Sequence, residues 1–502
     1  MSISQATPRV LIVTPEVTYL PRDMGNIANY LSAKAGGLAD VSASLISTLF
    51  EMGADVHVAL PDYRTIFSDQ LAPLIKNELK TIWSRVPEDR IHLAEDRSFY
   101  YMNRVYSDYE GENLKIALAF QREVINNIIP RVRPDLVHCN DWMTGLIPAL
   151  ARTGGIPSLF TLHNIYTVNT TLAEVEDRGI DAAYFWDRLF YERMPLSYEE
   201  TREHNPVDFL VSGVFASHFV NTVSPTFLTE MADGQHGFVP GPLRRELSAK
   251  LASDCAVGIL NAPDPSYNPR TDEALVRNYG PADHPEGKAE NKRFLQQTLG
   301  LLPDAKAPLF FWPSRLDTVQ KGCQLLADIL YPVVDRYRPE NLQVVFVAVG
   351  EFQKHFRDIV SHHGISRRVA VCNFDERLSR LAYAASDFVL MPSRFEPCGL
   401  PQMIGPVYGT IPVARDTGGI HDTVLPLDAR AGTGNGILFE TYDSGGLSWA
   451  MDRAMDFFRL PRPAKNRQIE RIMTRAAADF THTVTARHYI DLYETMLRRP
   501  LV

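Results

Sequence analysis

Six short segments carry residue types that do chemistry, at spacings that let them converge. Lys34-Ala-Gly-Gly-Leu-Ala-Asp40 puts a mobile cation beside two glycines, Gly36 and Gly37. Missing side chains let a backbone approach a ligand, and N–H groups at a helix start attract anions. A plain helix start with a solvated lysine has the same composition, and these residues alone do not separate the two. His138-Cys-Asn-Asp-Trp142 follows the run Pro134-Asp-Leu-Val137. Its Asp141 can orient a substrate hydroxyl or cap the next helix. Phe160-Thr-Leu-His-Asn164 ends a second run on the polar pair His163 and Asn164, where a structural and a catalytic histidine read alike.

In Ser314-Arg-Leu-Asp-Thr-Val-Gln-Lys-Gly322, Arg315 and Lys321 can both reach one diphosphate. Such a clamp stabilises the charge that a leaving phosphate group gains, without a metal. Two solvated cations on a surface loop are the competing reading. Pro392-Ser-Arg-Phe-Glu-Pro-Cys-Gly-Leu400 holds Glu396 between an aromatic residue and a proline, which stiffens its backbone and aims its carboxylate. Asp416-Thr-Gly-Gly419 is another anion-friendly helix start. Gly432-Thr-Gly-Asn-Gly436 looks like a dinucleotide fingerprint but precedes a strand instead of following one, so it is set aside. The chain shows no D-x-D, H-E-x-x-H, G-x-x-x-x-G-K-[ST] or G-x-S-x-G pattern. A metal-bridged diphosphate site, a zinc protease, a P-loop and a hydrolase elbow are therefore without support.

The elements that must position these segments alternate regularly. Apolar runs at residues 10–14, 56–60, 114–120, 136–139, 158–162 and 219–223 predict strands buried on both faces. Six more occur at 308–312, 343–349, 369–373, 388–391, 410–414 and 436–439. After Gly37 the period changes: Leu38, Val41, Leu45, Ile46, Leu49 and Phe50 share one helical face, and Gly53 stops the helix. The βα pattern runs twice, so an α/β protein of two doubly wound domains is expected. The prolines of residues 262–271 mark the boundary, and residues 278–287 read as an exposed excursion. The expected division is 1–262, 263–480 and a terminal helix over 481–502. Ligands bind such sheets beyond the carboxyl ends of the strands, which is where the six segments fall.

Composition sets the outer limits. With 502 residues, 45% hydrophobic and 22% charged, the chain suits a soluble enzyme of two or three domains. A net charge of −9 without a basic block argues against nucleic acid. Cys139, Cys255, Cys323, Cys372 and Cys398 are scattered, with no C-x-x-C pair, so neither a disulfide framework nor a zinc site is expected. No run reaches the roughly 18 apolar residues a membrane helix needs, and residues 1–9 show no export core. A cytoplasmic protein without cofactor, metal or membrane partner is the expectation.

In this order the segments resemble the bacterial glycogen synthase and plant starch synthase family, over nearly the whole chain from Val10 to about Tyr493. The resemblance rests on Lys34-Ala-Gly-Gly-Leu-Ala-Asp-Val41, Asp141-Trp142, His163-Asn164, Asn221-Thr-Val-Ser-Pro225, Gly258-Ile-Leu-Asn261, Ser314-Arg-Leu316 with Gln320-Lys-Gly322, Arg394-Phe-Glu-Pro-Cys-Gly-Leu400 and Thr417-Gly-Gly419. It implies the GT-B fold, two Rossmann-like domains facing a deep cleft, with the last helix crossing back. It also implies transfer of glucose from ADP-glucose to an α-1,4-glucan with retention of configuration. Carried over by position, Lys34, Gly36 and Gly37 meet the donor diphosphate, and Arg315 and Lys321 grip it from the other domain, helped near Thr417, Gly418 and Gly419. Glu396 holds glucose hydroxyls with Cys398, Gly399 and Leu400 beside it. Asp141 and His163 line the reacting face, and Asn164 and Asn261 complete the expected substrate-binding set.

This chain departs from the family pattern in two places. Glu16 and Lys34 are separated by a long loop, and Ala35 stands where the family has threonine. At residues 260–264 the sequence is Leu-Asn-Ala-Pro-Asp, and the proline would stiffen a hinge. The alternatives are a related retaining enzyme using UDP-glucose, a lapsed homologue that binds glucan or nucleotide sugar, and a phosphorylase, which would need a pyridoxal lysine.

Overall fold

A parallel strand covered on both faces needs apolar residues at every position, and the runs at 136–139, 158–162 and 343–347 supply them. In the computed structural model, which describes residues 7–25, 27–67 and 90–502, these runs are strands without an exposed residue. The chain divides into two compact units. One comprises residues 1–223, 228–259 and 482–502, the other residues 224–227 and 260–481.

The first unit is built on a seven-stranded parallel sheet. From one edge its order is Ile91–Ala94, Asp55–Pro61, Arg9–Val13, Leu136–Asn140, Ser158–Leu162, Phe219–Thr222 and Ala256–Gly258. The second unit carries a six-stranded parallel sheet in the order Val369–Cys372, Gln343–Val347, Leu309–Trp312, Phe388–Met391, Ile411–Arg415 and Ile437–Phe439. In each sheet the chain winds outward from the first strand, returns to that strand's other side and winds outward again. The reversal leaves a crevice at the carboxyl ends of two central strands. In the first unit these are Arg9–Val13 and Leu136–Asn140; in the second they are Leu309–Trp312 and Phe388–Met391. The second core is aromatic: Phe310, Phe311 and Trp312 are fully buried, and Phe310 stacks on Phe388 with ring centroids 4.8 Å apart.

The helix expected after Gly37 is Gly37–Glu51, with Leu38, Val41, Leu45, Ile46 and Leu49 buried, and Gly53 stands just beyond it at φ +95°. The terminal helix His482–Leu497 belongs to the first unit. There Tyr493 Oη lies 2.7 Å from His138 Nδ1, and Asn221 Nδ2 donates to Tyr489 Oη at 2.9 Å. Burial holds the His138 imidazole well below its ordinary pKa, so it docks this helix as a neutral hydrogen-bonding ring.

Two expectations are corrected. Residues 114–120 are not a strand but lie inside the helix Glu110–Glu123. Residues 116–120 are all buried, and a helix covered on every side loses the 3.6-residue polar period that would announce it. Residues 278–287 are not an exposed excursion. Tyr279 is 2% exposed and donates its hydroxyl to Tyr408 O at 2.8 Å, and the helix His284–Thr298 begins within the stretch. The turn-forming residues around Tyr279 hide this single aromatic anchor. Two edge strands, Ile91–Ala94 and Ala256–Gly258, are too short or too polar to stand out in the sequence.

Candidate active site

In the first unit the loops after both central strands carry the expected groups. Asp141 follows Leu136–Asn140 directly and adopts φ +56°, a region non-glycine residues seldom enter without a compensating role. Its carboxylate is 2% exposed and fully engaged. Oδ1 accepts the N–H groups of His163 (2.7 Å) and Asn164 (3.4 Å), and Oδ2 accepts Asn164 Nδ2 (2.8 Å). Burial raises the Asp141 pKa to about 7; the two backbone N–H groups oppose the shift, and the nearby Glu16 charge adds to it. His163 Nε2 lies 3.0 Å from Asn140 Oδ1, and burial pushes its imidazole toward the neutral form. Four residues at the ends of two neighbouring strands, Asn140, Asp141, His163 and Asn164, are thus tied into one cluster.

The loop after Arg9–Val13 is pinned at its neck. Val17 and Ala33 exchange backbone hydrogen bonds of 3.0 and 2.7 Å, so the long excursion between them returns to its starting point. Glu16, 2% exposed, then accepts the N–H groups of Ala35 (2.7 Å) and Gly36 (3.0 Å) on Oε2 and the Tyr106 hydroxyl (3.1 Å) on Oε1. Lys34 is exposed and pairs with Asp40 at 2.7 Å. A Cβ on Gly36 or Gly37 would meet nothing within 4 Å, so packing demands neither glycine, and the space above both is open.

In the second unit the two central loops lean on each other. Asp317 Oδ1 accepts Val319 N (2.9 Å) and Gln320 N (2.7 Å), folding the first loop back, and Gln320 O accepts Arg394 N (2.7 Å) from the second. Gly322 is left-handed at φ +70°, and a Cβ there would lie 2.0 Å from Pro392 O. That close approach delivers Lys321 Nζ to Glu396 Oε2 at 2.6 Å, where Ser393 Oγ also donates at 3.0 Å. The pair is largely buried, with side chains 12% and 6% exposed. Arg315 is exposed, and among the described residues its guanidinium has no hydrogen-bond or ion-pair partner.

The segment at 416–419 packs against the Glu396 loop. A Cβ on Gly418 would fall 2.1 Å from Glu396 O and one on Gly419 2.0 Å from Cys398 O, while Gly419 N donates to Glu396 O at 2.9 Å. Thr417 is the cap residue before this short helix. Burial pushes the Cys398 thiol up to about 12, so it is inert as a nucleophile at neutral pH. Asn261, from the same unit, meets it through its backbone N–H, and its own Oδ1 is buried without a partner among the described residues. Gly399 is left-handed at φ +72° beside Gln402, and Leu400 precedes the helix Pro401–Val407.

The structure therefore brings Arg315, Lys321, Glu396, Cys398, Gly399, Leu400, Thr417, Gly418, Gly419 and Asn261 into the second unit, and Asp141, His163, Asn164, Lys34, Gly36 and Gly37 into the first. Sequence reasoning did not find the grip of Glu16, nor Tyr106, Ser393 and Asn140. A glutamate at the first strand's end was visible, but its partners lie 19, 20 and 90 residues away.

Residues 9–241 match the starch synthase catalytic domain family, and residues 307–456 match the glycosyl transferases group 1 family. The chain is 32% identical to a glycogen synthase of Syntrophotalea carbinolica, covering 92% of this chain and 96% of that one. It is also 32% identical to a glycogen synthase of Moorella thermoacetica, covering 98% and 97%. The catalytic domain of starch synthase IV from Arabidopsis thaliana, solved with ADP and acarbose, superposes with a TM-score of 0.76 at 26% identity, over 98% of this chain and all of that domain. Two parallel α/β sheets with these matches define a GT-B glycosyltransferase. Within that class, the chain belongs to the glycogen synthase and starch synthase family of glucosyltransferases.

Proposed function

We propose that this chain transfers glucose from ADP-glucose to the non-reducing end of an α-1,4-glucan, with retention of configuration. The observation that carries the reading is the pair of cations at the second sheet's crevice. Lys321 is held in place by Glu396, and Arg315 has no ion-pair partner among the described residues. As the C1–oxygen bond to the nucleoside diphosphate breaks, the departing oxygens gain negative charge, which these two groups stabilise. Arg315 offers a planar fork for two oxygens and Lys321 a point charge. Glu396 keeps Oε1 for glucose hydroxyls, since Lys321 and Ser393 occupy Oε2. Asn261 Oδ1 supplies another acceptor.

In this scheme the acceptor hydroxyl attacks C1 on the face the diphosphate leaves, and its proton passes to the departing phosphate oxygen. Asp141 suits orientation better than covalent attack, because three N–H donors already occupy it. Neutral His163 can exchange hydrogen bonds with a sugar hydroxyl. The reading assigns Lys34 and Gly37 to the donor diphosphate as well. No helix among the described residues is long and apolar enough to cross a membrane. The test is a side-by-side transfer of radiolabelled glucose from ADP-glucose and from UDP-glucose onto glycogen. Label entering glycogen at least about tenfold faster from ADP-glucose is expected, about 1.4 kcal/mol of discrimination. Preference for UDP-glucose would reassign the donor base, and no transfer from either would leave a binding protein.

A further inference from the structure

We propose that Glu16 is a positioning residue of the donor site, one whose buried carboxylate fixes the shape of residues 34–37. The inference rests on the glucosyl-transfer reading for what that turn binds. Glu16 is 2% exposed and stands directly behind the first central strand. Its Oε2 takes the Ala35 and Gly36 N–H groups at 2.7 and 3.0 Å, and its Oε1 is held by the Tyr106 hydroxyl at 3.1 Å. The two glycines gain no hold from packing on the side where a side chain would stand, since a Cβ on Gly36 or Gly37 would touch nothing within 4 Å. Glycine backbones without packing partners sample many conformations, so two hydrogen bonds to a rigid acceptor carry unusual weight here.

The same geometry rules out direct contact between Glu16 and the donor as the source of its effect. A carboxylate would repel a diphosphate, and both Glu16 oxygens face inward to protein donors. By taking the Ala35 and Gly36 N–H groups, Glu16 leaves those of Gly37 and Leu38, in the first turn of the helix, as the donors the turn presents. The bridge between Val17 and Ala33 explains how the arrangement tolerates the long loop. It closes the neck, and the carboxylate sets the register of the turn at residues 34–37.

Position and charge are separated by two conservative variants. Glu16→Gln keeps the length; its amide oxygen can accept both N–H groups while its NH2 faces the Tyr106 oxygen. Glu16→Asp keeps the charge but falls short by one methylene. The expected result is that Glu16→Asp raises the ADP-glucose KM about tenfold or more, the scale of losing a buried hydrogen-bond acceptor. Glu16→Gln should stay within about threefold of the parent, and neither should change the KM for glycogen. Amide hydrogen exchange at residues 35 and 36, measured without substrate, should accelerate in Glu16→Asp alone. Parental KM and exchange in Glu16→Asp, or equal impairment in Glu16→Gln, would overturn the proposal. If the parent protein transfers no glucose, the functional reading fails, and the exchange pattern alone still decides whether Glu16 holds the turn.

Discussion

Lys321→Ala is expected to lower kcat for transfer from ADP-glucose by about 100- to 1000-fold, the scale for removing one donor aimed at charge that develops in the transition state. The ammonium lies 2.6 Å from Glu396 Oε2 with its side chain 12% exposed, so it acts in a setting that water screens poorly. Removing it also leaves a buried carboxylate with Ser393 Oγ as its one side-chain donor among the described residues, and breaking a buried pair from one side destabilises by roughly 3–5 kcal/mol. The two losses are separable. In the double variant Lys321→Ala, Glu396→Gln the unpaired charge is gone, so the melting temperature should recover much of its loss while kcat stays low. Steady-state kinetics on folded protein and thermal melts read both quantities. A Lys321→Ala enzyme with parental kcat would remove this residue from the diphosphate grip.

Asp141→Asn should abolish most turnover while making the protein more stable at alkaline pH. Burial raises the Asp141 pKa from 3.8 to about 7, so between those values the folded chain binds a proton that the unfolded chain has released. Stability therefore falls as pH rises from about 4 to about 7 and stays reduced above that. An asparagine does not ionise, and its oxygen can keep the two backbone N–H groups of His163 and Asn164. The expected gain is on the order of 1–4 kcal/mol at pH 8, shrinking toward zero near pH 4. Activity should drop by about 100-fold or more, since a group whose environment penalises its own charge is kept for function at the fold's expense. Thermal melts of both proteins at the two pH values provide the check. A variant less stable than the parent at pH 8 would show that the carboxylate's three hydrogen bonds outweigh its burial.

Much of the architecture was legible because strands covered on both faces leave unbroken apolar runs, as at 158–162 and 388–391. The helix Glu110–Glu123 defeated the same rule because its residues 116–120 are buried one after another. At the site, Asp141 and His163 were legible as polar residues immediately beyond strands, and Lys321 and Glu396 as charged residues in the loops that follow strands; within the first unit His163 N–H meets Asp141, and within the second Lys321 meets Glu396. The glycines were legible as special but for a different reason. Gly322, Gly418 and Gly419 admit the backbone of a neighbouring loop, with carbonyl oxygens 2.0–2.1 Å from where a Cβ would stand, so they assemble the site as well as open it. The hold of Glu16 on Ala35 and Gly36 could not be read, because it depends on a neck that only folding closes.

The place where a nucleoside diphosphate binds decides most directly whether the two cations form a grip, and a crystal structure with ADP present measures it. The prediction is that diphosphate oxygens lie within about 3 Å of both the Arg315 guanidinium and Lys321 Nζ. ADP bound with its diphosphate out of reach of both groups would contradict it.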